Sequence, residues 1–251
     1  MIELRNVHKK FGRHVVLDGV NFSVAAGETV ALLGPSGSGK SVLLKHIIGL
    51  MRPDQGDVLV EGASVPALQR KELAALRTKI GYAFQTGALF DSMNVFENIR
   101  LGISDDHCYR DLGFCRSRVA ECLQLVNLSE DVGRLMPAEL SGGMRKRVGI
   151  ARAIAGSPKY LLYDEPTSGL DPVNADAMDA LIEGLQRRLH ATSIVVSHDV
   201  RGSFKIADRI ALLHNGRIRA VGTAEEFMAA KDSVVREFLE RDIELSTPGG
   251  R

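Results

Sequence analysis

Three short runs along the chain are apolar without alternation: TVALLG (Thr29–Gly34), YLLYDE (Tyr160–Glu165) and SIVVSHD (Ser193–Asp199). A strand with one wet face alternates polar and apolar residues. A continuous run reads instead as a strand covered on both faces, the habit of a parallel sheet. Helical spacing fills the gaps, as in KSVLLKHIIGL and ADAMDALIEGLQRRL. The order predicts an α/β fold with a mainly parallel core sheet. The opening segments IELRNV, VNFSVAAG and GDVLVEGASV alternate and turn, which predicts an antiparallel β-rich edge. Between about Thr86 and Pro158 the pattern is mostly helical, predicting a helical subdomain inserted into the core. The expected organisation is a core from 1–85 and 159–223, the helical subdomain at 86–158, and a C-terminal helical extension and tail at 224–251. In that extension, TAEEFMAAKDSVVREFLERDIEL carries an apolar patch of Val234, Val235, Phe238 and Leu239. The patch either docks on its own domain or reaches a partner subunit; the final STPGGR is expected to fray.

Composition narrows the function classes. A chain of 251 residues, 45% hydrophobic and 25% charged, has the make-up of an ordinary globular protein. Its formal net charge of +1 supplies no field for holding nucleic acid. No run of about eighteen apolar residues marks a membrane span, and MIELRNVHKKFG lacks the layout of a signal peptide. The protein is expected to stay in the cytoplasm and to touch a membrane only through a partner. Cys108, Cys115 and Cys122 recur every seven positions, unlike zinc-ligand pairs, and read as reduced structural thiols.

Each buried strand ends in groups capable of chemistry, and ligands of open α/β sheets bind at the carboxyl ends of strands. GPSGSGKS, residues Gly34, Pro35, Ser36, Gly37, Ser38, Gly39, Lys40 and Ser41, follows a predicted strand and opens a helix that continues at Val42. This is the full spacing of a phosphate-binding loop: glycines let backbone N–H groups curl round phosphates, and the helix start adds positive potential. Lys40 is expected to bridge phosphates as a point charge, and Ser41 to supply an oxygen to Mg²⁺. Asp164 closes a buried strand, where a carboxylate needs a partner such as Mg²⁺. Glu165 is placed to orient or deprotonate an attacking water, and His198 to bond the γ-phosphate or Glu165.

The stretch ELSGGMRKRVGIARAIAG raises a separate question, because Gly142 and Gly143 begin an otherwise strong helix. Glycine in a helix costs about 0.5–1 kcal/mol relative to alanine. Ser141 suits an N-cap, and Met144, Val148, Ala151 and Ala155 form an apolar stripe behind it. Bare N–H groups without side chains make a second anion-binding helix start. It reaches either the same nucleotide within the chain or one held by another copy. Arg145, Lys146 and Arg147 read as a solvated face of this helix.

The ordered set GPSGSGKS, Gln85, LSGGM, YLLYDEP, SGLDP and His198 resembles the nucleotide-binding subunits of ABC transporters, over about Met1 to Thr223. That resemblance implies an ATP hydrolase acting as a homodimer, in which Ser141, Gly142 and Gly143 of one copy cap the γ-phosphate held by the other. It implies ATP and Mg²⁺ as ligands. Phe11, with Val16 beside it, would stack on adenine. Gln85 would touch Mg²⁺ and sense a transmembrane partner, and Asp171 would link the two sites. Met144 departs from the glutamine usual in the family and cannot complete a capping box. LSGGMRKRVGIARA and FQTGALFDSMNVFENI further resemble the branch serving MCE-associated phospholipid transporters, the maintenance-of-lipid-asymmetry (Mla) systems. The partners so implied are an integral-membrane permease, an MCE-domain lipid-binding protein and a small regulatory subunit, and the place is the cytoplasmic side of the inner membrane. A soluble scaffold ATPase of iron–sulfur assembly and a divisome-type signalling ATPase are the competing readings.

Overall fold

The computed structural model describes residues 1–105 and 109–245; Cys108 and the STPGGR tail lie outside them. The chain opens with β1 (Ile2–Phe11), β2 (His14–Val24), β3 (Thr29–Leu33) and α1 (Lys40–Ile47), then β4 (Gln55–Val60), β5 (Ala63–Ser64) and α2 (Arg70–Thr78). β6 (Ile80–Ala83), α3 (Val95–Arg100), α4 (Leu112–Leu125), α5 (Gly142–Ile154), β7 (Tyr160–Asp164) and α6 (Pro172–Leu189) follow. The last stretch holds β8 (Thr192–Ser197), α7 (Val200–Ile206), β9 (Arg209–His214), β10 (Arg217–Gly222), α8 (Ala224–Met228) and α9 (Ser233–Leu245). These residues form two compact units, Met1–Leu73 with the chain from Ile194, and Ala74–Ser193.

In the first unit, β1 pairs antiparallel with β2 and β4, giving the order β2-β1-β4-β5. Ile2 and Leu4 lie opposite Val24 and Phe22 on one side and Val60 and Val58 on the other, all buried, so the alternation sets the register. The other sheet of this unit runs β10-β9-β3-β8, with β3 parallel to β9. All five residues of β3 are buried, as its unbroken apolar run predicts. The C-terminal extension docks on this same unit. Phe227, Val235 and Leu239 pack with Ala31, Leu33, Ile210 and Leu212, with Val234 and Phe238 at the margin. The apolar patch left open by the sequence is therefore used within its own chain.

In the second unit β6 and β7 are parallel, Ile80 opposite Tyr160 and Ala83 opposite Tyr163. α5 lies close against β6, and Gly81 permits it: a Cβ there would come 2.3 Å from the Ala153 carbonyl oxygen. α3 begins with a capping box between Asn94 and Glu97. α4 buries Cys115, Val119, Cys122 and Leu123 on one face. Burial pushes the Cys122 thiol up to about 11, which fits an inert structural thiol.

Candidate nucleotide site

The loop from Gly34 to Gly39 leaves β3 and enters α1 through backbone conformations that side chains resist. Gly34, Gly37 and Gly39 have φ of 154°, 79° and 103°. Two of them are also hemmed in. A Cβ on Gly34 would sit 2.2 Å from the Leu213 carbonyl oxygen, and one on Gly39 would sit 2.9 Å from Val16 Cγ1. Lys40 is 4% exposed, and its Nζ donates to the carbonyls of Gly34 at 2.7 Å and Pro35 at 3.1 Å. The ammonium thus lies beneath the loop's own arch. Ser38 Oγ is buried with no hydrogen-bond partner among the described residues. An orphaned hydroxyl inside a glycine-rich loop before a helix is what a phosphate-binding loop leaves for its ligand to satisfy.

Ser36 and Gly37 are exposed, and Ser41 and Val42 are half-buried on the first turn of α1. Beside the loop lies a cleft of about 390 Å³ lined by Val15, Val16, Pro35, Ser36, Gly37 and Ser38, among others. Phe11 ends β1 opposite His14, 47% exposed, with Lys9 Nζ 5.7 Å from its ring centroid. It is no core residue. His198 follows β8 directly and is exposed; Asp199 caps α7.

The second unit gathers the remaining groups. Asp164 ends β7 buried, and Tyr82 on β6 donates its hydroxyl to Asp164 Oδ2 at 2.8 Å. Burial, reinforced by the neighbouring carboxylate, raises the Tyr82 phenol well above its ordinary range, so it remains a donor. Gln85 Nε2 lies 3.3 Å from both Glu165 Oε2 and Ser168 Oγ. Gln85 and Glu165, 80 positions apart in sequence and both named from motifs, are brought together. Asp171 caps α6, and hydrogen bonds from Asn174 hold its carboxyl below the usual range.

Ser141 caps α5 as its sequence position predicts, accepting from the Met144 N–H at 3.2 Å. Gly142 and Gly143 form the first turn. A Cβ on Gly142 would meet nothing within 4 Å, and one on Gly143 would be in ordinary contact with Leu170. Nothing in the chain's own packing requires glycine at either place. Val148, Ala151 and Ala155 are buried and Met144 half-buried, so the apolar stripe is real. The solvated face is corrected: only Arg145 is exposed, while Arg147 is half-buried with Nη1 3.5 Å from the Asn127 carbonyl. Lys146 is half-buried, and its Nζ donates to the carbonyls of Glu165 and Pro166. Sequence reasoning passed over Tyr82 and read Lys146 as solvated. Tyr82 stands in no motif and Lys146 stands in LSGGMRKRVGIARA; the pairing of β6 with β7 and the course of α5 give them these partners.

The model of the ABC transporter family matches residues 17–168, which span the phosphate loop, Ser141–Gly143, Asp164 and Glu165. The chain belongs to the ABC transporter family. This cassette is 39% identical over 240 residues to the intermembrane phospholipid transport system ATP-binding protein MlaF of Haemophilus influenzae, covering 96% of this chain and 90% of that one. MlaF of Escherichia coli K12 is 38% identical over the same share of the cassette. The probable ribonucleotide transport ATP-binding protein Mkl of Mycobacterium leprae is 40% identical over 238 residues, and the matched region spans 68% of its length. Among solved structures, the dimeric post-hydrolysis state of the ATP-binding cassette MJ0796 bound to ADP and Pi superposes with a TM-score of 0.81. It is 33% identical, and the match covers 89% of this cassette and 99% of that chain. The cassette fold and its nucleotide-binding character follow. Among the described residues no helix is long and apolar enough to cross a membrane.

Proposed function

We propose that this cassette is the ATP-hydrolysing subunit of a transporter that moves phospholipid between two membranes. It works as a homodimer on the cytoplasmic side of the inner membrane, held there by an integral-membrane permease. The observation that carries the lipid reading is the likeness to MlaF along nearly the whole of both chains. The Mkl likeness, by contrast, spans about two thirds of that protein.

In this reading the loop from Gly34 to Ser41 cradles the phosphates of ATP, with Lys40 as the fixed positive charge and Val42 continuing the helix whose start faces them. Phe11 and Val16 receive the adenine ring. Ser41, Gln85 and Asp164 would hold Mg²⁺. A hydroxyl, an amide and a carboxylate form an all-oxygen set that suits a hard cation, and Gln85 turns its Nε2 to Glu165 and Ser168, leaving Oε1 as its ligating end. When bound, the ion neutralises charge on the β- and γ-phosphate oxygens. Glu165 orients the attacking water and accepts its proton, and His198 donates to the γ-phosphate. Ser141, Gly142 and Gly143 serve the nucleotide of the second copy, and Asp171 links the two sites. The open surroundings of Gly142 support this, because bare backbone there admits an approach from outside the chain.

The permease contact falls after Gln85. Asn98 is fully buried and bonds the backbone of Phe90 and Met93, which fixes that segment while Phe90 stays 54% exposed. Leu89, Met93 and Phe96 are half-buried and Val95 is core. A rigid backbone presenting one large aromatic suits a short helix of a membrane protein. The test is capture of the tagged full chain from detergent-solubilised membranes. A permease and an MCE-domain protein are expected to co-purify, with a small regulatory subunit, and the complex in lipid should hydrolyse ATP under permease control. Phe90→Asp should weaken permease capture more than ATP binding. A soluble iron–sulfur assembly complex, or a peptidoglycan-hydrolase regulator in place of the lipid-binding protein, would overturn the transporter reading.

A further inference from the structure

α5 and the turn that carries Glu165 meet through one side chain. Glu165 has φ 49°, a left-handed conformation that a non-glycine residue keeps only where its surroundings impose it. Its carbonyl oxygen accepts from the Ser168 N–H at 3.2 Å and from Lys146 Nζ at 3.2 Å. Lys146 Nζ also donates to the carbonyl of Pro166 at 3.0 Å. A lysine on a solvated face would send its ammonium into water. This one gives up part of its hydration to hold two consecutive backbone carbonyls, and burial draws its ammonium below the ordinary lysine range while the Glu165 charge opposes that shift.

The side chain of Glu165 reaches Gln85. Its contact with Gln85 Nε2 is long at 3.3 Å, on the exposed side of the turn. The backbone on which the carboxylate stands is held by Lys146 at two consecutive carbonyls. A displacement of 1 Å in a reacting group can cost about 10²-fold in rate.

We infer that Lys146 is a positioning residue for ATP hydrolysis, pinning the Glu165–Pro166 backbone to α5 so that the Glu165 carboxylate is held for the attacking water. The inference rests on the role given to Glu165 under the proposed function. It also ties the turn carrying the carboxylate that serves one nucleotide to the helix whose glycine turn is offered to the other.

The test is steady-state ATPase kinetics and ATP binding of the full chain in its membrane complex, with thermal melting as a check on folding. Glu165→Gln should lower kcat by about 10²-fold or more while keeping ATP affinity. Lys146→Met should lower kcat about tenfold with KM and ATP affinity within about twofold. Lys146→Arg keeps the donors and should recover to within about threefold of wild type. Should the methionine variant misfold, Lys146→Gln, a shorter donor, should show the same kcat-only loss in smaller measure. Adding Lys146→Met to Glu165→Gln should cost less than about twofold more, because the two act as one unit. A Lys146→Met enzyme with wild-type kcat beside an inactive Glu165→Gln overturns the inference. So does a loss that persists in full in the Glu165→Gln background, or one that falls on KM and ATP binding. A near-normal Glu165→Gln overturns the role of Glu165 itself, and is read separately.

Discussion

Three glycines on one helix have opposite reasons to be there. Gly142 and Gly143, at the start of α5, have room for a methyl group, whereas Gly149 does not: a Cβ there would come 2.8 Å from Gly87 Cα and 3.0 Å from its carbonyl oxygen. Helix propensity alone predicts that Gly149→Ala stabilises by about 1 kcal/mol. Backbone-to-backbone contact predicts the reverse, since overpacking costs about 1–3 kcal/mol. We expect the contact to win, lowering Tm by several degrees in a thermal melt; a raised Tm would refute the close approach. The residues legible in the sequence were those whose chemistry sits in consecutive positions, such as Gly34–Ser41, Ser141–Gly143 and Asp164–Glu165. Tyr82 and Lys146 were not, because the first needs β6 beside β7 and the second needs α5 laid along the turn after β7. Hydrogen bonds made across 82 and 19 positions of sequence leave no local pattern.

Among elements, the continuous strands β3, β7 and β8 and the alternating β1, β2 and β4 followed from hydrophobic period alone. β6 did not. It has four residues, one of them Gly81, whose missing side chain serves the approach of α5 and weakens the strand signal. The destination of α9 was equally hidden, since an amphipathic helix reads the same whichever surface it covers. Its cis docking predicts a stability cost with no partner present. Val235 is fully buried against the core of the first unit, so Val235→Asp in the isolated protein should destabilise by about 3 kcal/mol or more. Urea denaturation of the purified chain measures this; an unchanged midpoint would place the helix elsewhere.

For the whole molecule, the proposed composite site makes a prediction that no single chain can mimic. Lys40→Ala disables the phosphate loop and Ser141→Arg blocks the helix start, so each homodimer should be nearly inactive. Mixing the two should give heterodimers with one intact site, built from the Ser141 side of one chain and the Lys40 side of the other. Regained ATPase activity, with heterodimer formation confirmed by differential tags, is the expected result; a mixture no better than its parts would count against assembly between copies. The crowding of Gly87 against Gly149 has a mechanical side. Arg152 donates from both terminal nitrogens to the carbonyls of Gly87 and Ala88, at 2.9 and 2.8 Å, and so clamps the segment after Gln85 to α5. From Arg152 back to Ser141 is eleven residues, about 16 Å along a helix axis. A push delivered at the segment after Gln85 would thus enter that helix near its far end from the glycine turn. Work done at one end of that helix would be displacement at the other, which would give a membrane partner of the proposed kind a handle on the timing of the distant glycine turn.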